Sequence, residues 1–219
     1  YDAVFQDPYV PPFLLGGLSH CKVIAIDNVV DYLIETGKNI YARDLPKLTL
    51  PFDHCFIDIV GRDRTRAWFK MDTISKAGFF LWTCHDEACT AKQQTTIQTP
   101  IRWSIHGMLL FLCTECEQVH IPDITWTLNL DEFGGWADKT SPYYRYNRNP
   151  FANTPSSDDP EVYFEAAEQV IPALFALALM HAKNSSMLDN EPPAKLSKKY
   201  QQKHGRGLTA YKTIQIKPM

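Results

Sequence analysis

The stretch 50–84, LPFDHCFIDIVGRDRTRAWFKMDTISKAGFFLWTC, decides the fold class. Within it, residues 55–60, 67–71 and 79–83 are rich in aromatic and β-branched side chains. They are separated by Gly or by charged turn material such as Gly61-Arg62-Asp63, the pattern of successive strands. The reading is an antiparallel meander. A second strand group, 101–113 and 121–130, follows the polar loop 90–99. Strands with few helices between them favour an α+β fold, an antiparallel sheet with a few packed helices, over a doubly wound one.

Upstream, Pro8, Pro11, Pro12, Gly16 and Gly17 break residues 1–20 into an irregular arm. Residues 21–219 are read as a single α+β domain. Its first element is an amphipathic helix within 23–37, carrying Ile26, Val29, Val30, Leu33 and Ile34 at helical spacing. Asp27 is suited to its N-cap and Gly37 to its end. Downstream, 134–158 reads as a long loop. A helix is expected to start near Pro160 and run through the apolar segment 173–180, with Pro172 kinking it. Leu196 and Tyr200 then mark a short helix ended by Gly205 and Gly207. Leu208, Ala210, Ile214 and Ile216 alternate with polar residues on a final strand, to which Lys212 is an exception.

Composition is that of a globular chain: 219 residues, 45% hydrophobic and 12% aromatic, enough to bury a real core. The longest mostly apolar stretch, 170–180, is far below the roughly 20 residues that cross a bilayer. No membrane partner is expected. The visible sequence holds no basic segment followed by an apolar one of signal-peptide type, so the chain is read as intracellular. The net charge of -3 hides an asymmetry. Residues 1–190 carry 15 basic and 24 acidic side chains, a balance of -9, whereas 191–219 carry 7 and 1, a balance of +6. A short basic block of this kind is a common nucleic-acid footprint and equally fits an acidic protein surface.

Two surfaces are candidates for partner binding. One is the basic element 191–219, with Lys195, Lys198, Lys199, Lys203 and Arg206. The other is the loop 142–151, PYYRYNRNPF, where Tyr143, Tyr144 and Tyr146 interleave with Arg145 and Arg148. Aromatics of this sort stack on bases while guanidinium groups hold phosphates, and Tyr and Arg also anchor protein interfaces. The plain alternatives are a solvated helix and a loop held down by its own aromatics.

Cysteine placement carries the metal chemistry. Cys84 and Cys89 are separated by four residues, Cys113 and Cys116 by two, and each pair falls at or just after an expected strand. Four thiolates would close a tetrahedral structural zinc site, with His85, His106 and His120 as replacement ligands. Reduced cysteines packed as small hydrophobes and disulfides are the competing readings. Cys21 and Cys55 are isolated and assigned to packing. No nucleophile elbow, phosphate loop or metalloprotease helix is present, and Asp58, Asp63 and Asp72 default to solvent faces.

The segment 48–59, LTLPFDHCFIDI, together with the ending PPAKLSKKY at 192–200, HGRG at 204–207 and YKTIQI at 211–216, resembles a loose group of phage- and prophage-encoded proteins. Those proteins pair a Leu-Pro-Phe-led strand with a basic, Gly-containing C-terminal segment. The resemblance implies a viral or mobile-element origin, hence the host cytoplasm, and carries no activity. The expected function is a non-enzymatic accessory protein that binds nucleic acid, or a nucleic-acid-associated complex, through its basic C-terminal element. The alternatives are an inhibitor or adaptor of a host defence or transcription protein, and an enzyme with an unrecognised site.

Overall fold

A computed structural model of the chain describes residues 16–18, 20–37, 44–45, 47–85, 99–137, 145–148, 152, 169–205, 208 and 210–216. The fold is mixed α+β, as expected. The strands are β1 (Lys22–Ala25), β2 (His54–Ile59), β3 (Ile74–Cys84), β4 (Trp103–Cys113), β5 (Val119–His120), β6 (Ile124–Leu130), β7 (Arg145–Arg148), β8 (Ser185–Asn190) and β9 (Tyr211–Ile216). The helices are α1 (Asp27–Thr36), α2 (Arg62–Phe69), α3 (Ile171–Met180) and α4 (Ala194–His204).

One nine-stranded sheet runs in the order β7-β6-β4-β3-β2-β1-β9-β8, with β5 beside β4. Its centre is the β3–β4 hairpin, two 11-residue strands. Residues 77–81 of β3 are buried without alternation, because both faces of the sheet are covered. One face, with Ile57, Phe79, Leu81, Ile105 and Leu128, packs against Val30 and Leu33 of α1, Phe69 of α2 and Leu174 and Leu177 of α3. The other holds a smaller cluster of Val23, Phe56, Phe80, Met108 and Leu110, covered in part by Leu18. Each such aliphatic side chain contributes about 1.5–3 kcal/mol on burial.

Close packing explains one strand glycine. Gly107 is paired with Trp126, and a Cβ at Gly107 would stand 2.2 Å from Trp126 Cζ2. Only glycine lets the indole lie across the strand.

Several sequence expectations change. The segment 67–71 is not a strand: α2 spans Arg62–Phe69, started after Gly61 and anchored by buried Thr65 and Phe69 four residues apart. Residues 23–25, included in the segment read as the first helix, belong instead to β1, which is parallel to both β2 and β9. Asp27 is not an N-cap. It lies inside α1, whose cap is Ile26, and its carboxylate accepts from the Val60 and Gly61 amides. Pro172 sits in the first turn of α3, where no helical bond is lost; Gln169 is helical and Val170 a turn residue, so the helical path is interrupted just before this proline. The expected start near Pro160 lies outside the described residues. The arm expected for 1–20 ends in helical residues 16–18, with Leu18 fully buried.

The C-terminal strand forms over Tyr211–Ile216, shorter than expected: Leu208 and Ala210 lie outside it, and of its apolar positions Ile214 is buried while Ile216 is exposed. Lys212 makes an ion pair with Asp189 across the β8–β9 ladder and lies 5.7 Å from the Phe52 ring centroid. Asn28 of α1 donates to the Ile214 carbonyl at 3.1 Å, tying this late strand to the start of the fold. No helix among the described residues is long and apolar enough to cross a membrane.

Candidate metal centre

At the far end of β4 the chain makes a tight hairpin. Leu112 pairs with Val119 and Phe111 with His120, and the Cys113 amide donates to the Gln118 carbonyl at 3.1 Å. The intervening turn, residues 114–116, requires a sharp reversal. Glu117 supplies it in the left-handed region at φ 57°, a conformation that costs a non-glycine residue free energy. The hairpin is moored twice. Val119 and Ile121 are buried in the second core cluster, and the Thr114 amide and hydroxyl both donate to the Thr73 carbonyl, at 2.7 and 3.1 Å.

This turn gathers three soft donors. One ligand atom each from Cys113, Cys116 and His120 lies within 4.8 Å of the others, and Cys116 Sγ is 3.1 Å from His120 Nε2. Zinc bonds of about 2.3 Å to sulfur and 2.0 Å to nitrogen place tetrahedral ligands roughly 3.5–3.8 Å apart, so the three fit one ion with small adjustments. The His120 ring is fixed by stacking on Phe111, with centroids 5.3 Å apart and planes 7° from parallel. The Cys113 thiol is held below its ordinary pKa chiefly because the backbone N–H groups of Cys116 and Glu115 donate to its sulfur. That stabilises the thiolate, the form that binds metal. The group could therefore hold a metal ion.

The four-thiolate arrangement expected from the sequence is corrected by the strand register. Cys84 pairs with Ser104, whereas Cys113 pairs with Ile74. At about 3.4 Å per residue, the nine residues from Ser104 to Cys113 put the two cysteines about 30 Å apart. Cys89 lies outside the described residues. The antiparallel hairpin sends Cys84 and Cys113 to opposite ends of its strands. Of the three replacement histidines, His120 joins the centre. His106 lies mid-strand, with Nδ1 3.0 Å from the Thr127 hydroxyl, and burial lowers its pKa. His85 follows Cys84 at the other end. No disulfide joins the described cysteines. Cys21 donates to the Leu18 carbonyl, and Cys55 is buried. Asp58, Asp63 and Asp72 belong to no metal-binding group among the described residues.

The two candidate partner surfaces lie apart. The aromatic and arginine segment places Arg145, Tyr146 and Arg148 on β7, at one edge of the sheet; Tyr143 and Tyr144 are outside the described residues. The basic element belongs to the opposite edge. There α4 forms the connection between β8 and β9, whose ends Asn190 and Tyr211 are paired. Lys195, Lys198, Lys199 and Lys203 are all exposed, and Leu196 is 54% exposed. Arg206 is outside the described residues. Gly205 closes the helix in the left-handed region, its amide bonding the Gln201 carbonyl. An open cleft of about 500 Å³ lies nearby, lined by Asp27, Asn28, Thr213 and Gln215 among others. Its single carboxylate, Asp27, is already engaged by two backbone amides and Arg64.

No protein family, curated protein or solved structure matches the chain.

Proposed function

We propose that this chain is a non-enzymatic accessory protein of phage type that binds nucleic acid through α4, with a zinc ion held by Cys113, Cys116 and His120. The observation that carries the reading is the electrostatic state of α4. Four exposed lysines occupy one 11-residue helix that contains no acidic residue. Among the described residues, none of the four has an ion-pair partner. Lys195 and Lys199, and Lys199 and Lys203, are like-charge neighbours four apart, and Lys195 also faces the positive end of the helix dipole. A polyanion relieves all of these repulsions at once. Because the helix is bounded by paired strands, the positive charge is displayed from a held position.

A second reading has its own observation. Leu196 stands exposed among the lysines, which suits an acidic protein groove with an apolar floor. The discriminating experiment is fluorescence anisotropy with labelled 30-nucleotide single-stranded and duplex DNA and RNA at low salt. Binding that weakens on Lys→Gln substitution in α4 supports the nucleic-acid reading. No binding to any of these probes overturns it. Recovery of one stoichiometric host protein that survives nuclease treatment then favours the second. The zinc assignment is checked by elemental analysis of protein purified without added metal, with about one zinc per chain expected for a single mononuclear site.

A further inference from the structure

Given the zinc reading above, on which this rests, we propose that the Cys113–Cys116–His120 centre is a three-ligand site. Its fourth vertex is open to a small neutral donor, water in the free protein and an imidazole when one is offered. The donor count comes first. Among the described residues only these three form a metal-binding group, and the register holds Cys84 at the other end of β3 and β4. Among the described residues, a tetrahedral ion there has one vertex left to fill.

Position comes second. The centre sits on the tip of a hairpin whose residues Glu115, Cys116, Glu117 and Gln118 are all exposed. His120 is pinned against Phe111 on the strand side, and Cys113 is held by the ladder and the turn amides. Cys116 brings the centre to this exposed turn, so among the described residues an incoming ligand reaches it from solvent. Structural zinc sites close all four positions with protein ligands, whereas sites with three retain exchange.

Charge selects the class of incoming donor. Two thiolates and a neutral imidazole bring a divalent ion to zero net charge. Glu115 and Glu117, in the same turn, add negative potential around it. A further thiolate or carboxylate would enter against that field. A neutral nitrogen or oxygen donor would not, and the histidine side chain of a bound protein is of this kind.

The test uses the whole chain loaded with Co(II), whose visible d–d bands report coordination, titrated with imidazole and separately with acetate. Saturable spectral change with imidazole and little with acetate is expected, and X-ray absorption of the zinc form should give two sulfur ligands per metal. Cys84→Ser should leave both results unchanged, while Cys116→Ala should reduce the sulfur count to one or abolish binding. Three or four sulfurs, or a spectrum indifferent to imidazole, overturns the open vertex while leaving zinc in place. Failure to bind either cobalt or zinc overturns the zinc reading and the open vertex together.

Discussion

Replacing Lys195, Lys198, Lys199 and Lys203 by Gln should remove a definite part of the salt dependence of nucleic-acid binding. If each exposed lysine neutralises one phosphate, the four account for a slope of log affinity against log salt of about -3.6 on duplex DNA and about -2.8 on a single strand. Between about 50 and 200 mM salt, those slopes correspond to losses of roughly 150-fold and 50-fold. The quadruple variant should lose this component and keep only what other basic groups supply. Its helix should not be weaker for the change. Removing the like-charge pairs Lys195/Lys199, Lys199/Lys203 and Lys195/Lys198 should stabilise α4 by about 0.2–0.5 kcal/mol per pair, so unfolding could not explain lost binding. Lys212 is the internal control: it already pairs with Asp189, and Lys212→Gln should move the slope by much less than one unit. The assay is anisotropy at a series of salt concentrations, with circular dichroism to follow helicity. A quadruple variant whose slope equals that of the wild type would refute the assignment of binding to α4.

Three further outcomes follow from the packing. Gly107→Ala forces a methyl group onto the buried Trp126 ring and should cost about 1–3 kcal/mol, roughly 2–12 °C in melting temperature for a chain of this size; an unchanged melting curve would show that the ring does not lie there. His106 is held neutral by burial, its folded pKa below the ordinary 6.5. As pH falls below 6.5 the unfolded chain takes up a proton that the folded one resists, so stability drops. His106→Asn should lessen the fall in urea midpoint between about pH 7.5 and 5.5, and an identical pH dependence would count against burial of the neutral ring. Alkylation of the native, metal-free chain should modify exposed Cys116 early and Cys55 last, since burial pushes the Cys55 thiol up to about 12. Peptide mapping that finds Cys55 modified first would contradict its place in the core.

How much of this was legible depended on whether a segment's partners were local. The aromatic and β-branched runs in β2, β3 and β4 announced strands because their pattern reflects burial in a sheet. The helix ending at Gly37 and that ending at Gly205 were marked by glycines that take the left-handed C-cap in the structure. By contrast, β8 reads SSMLDN and carries little strand propensity; it is a strand because β9 pairs with it. The four residues of β1 were indistinguishable from the start of an apolar helix, since a short buried run has no period of its own. At α2 a signal existed, Thr65 and Phe69 four apart, but only eight residues carried it.

The metal centre divides the same way. The spacing Cys113, Cys116, His120 was present in the sequence, as was His120 as a possible ligand, and the local turn needs nothing distant to form it. The basic element was likewise a matter of composition, since charge is counted without coordinates. Only the tertiary structure decided that Cys84 stands about 30 Å from Cys113, because an antiparallel hairpin sends the two ends of its long strands apart. Only the strand order decided that β7 and α4 lie at opposite edges of the sheet. Residue types and short spacings set the local chemistry of this chain, while register and strand order, products of long-range pairing, set which of those chemistries share a place.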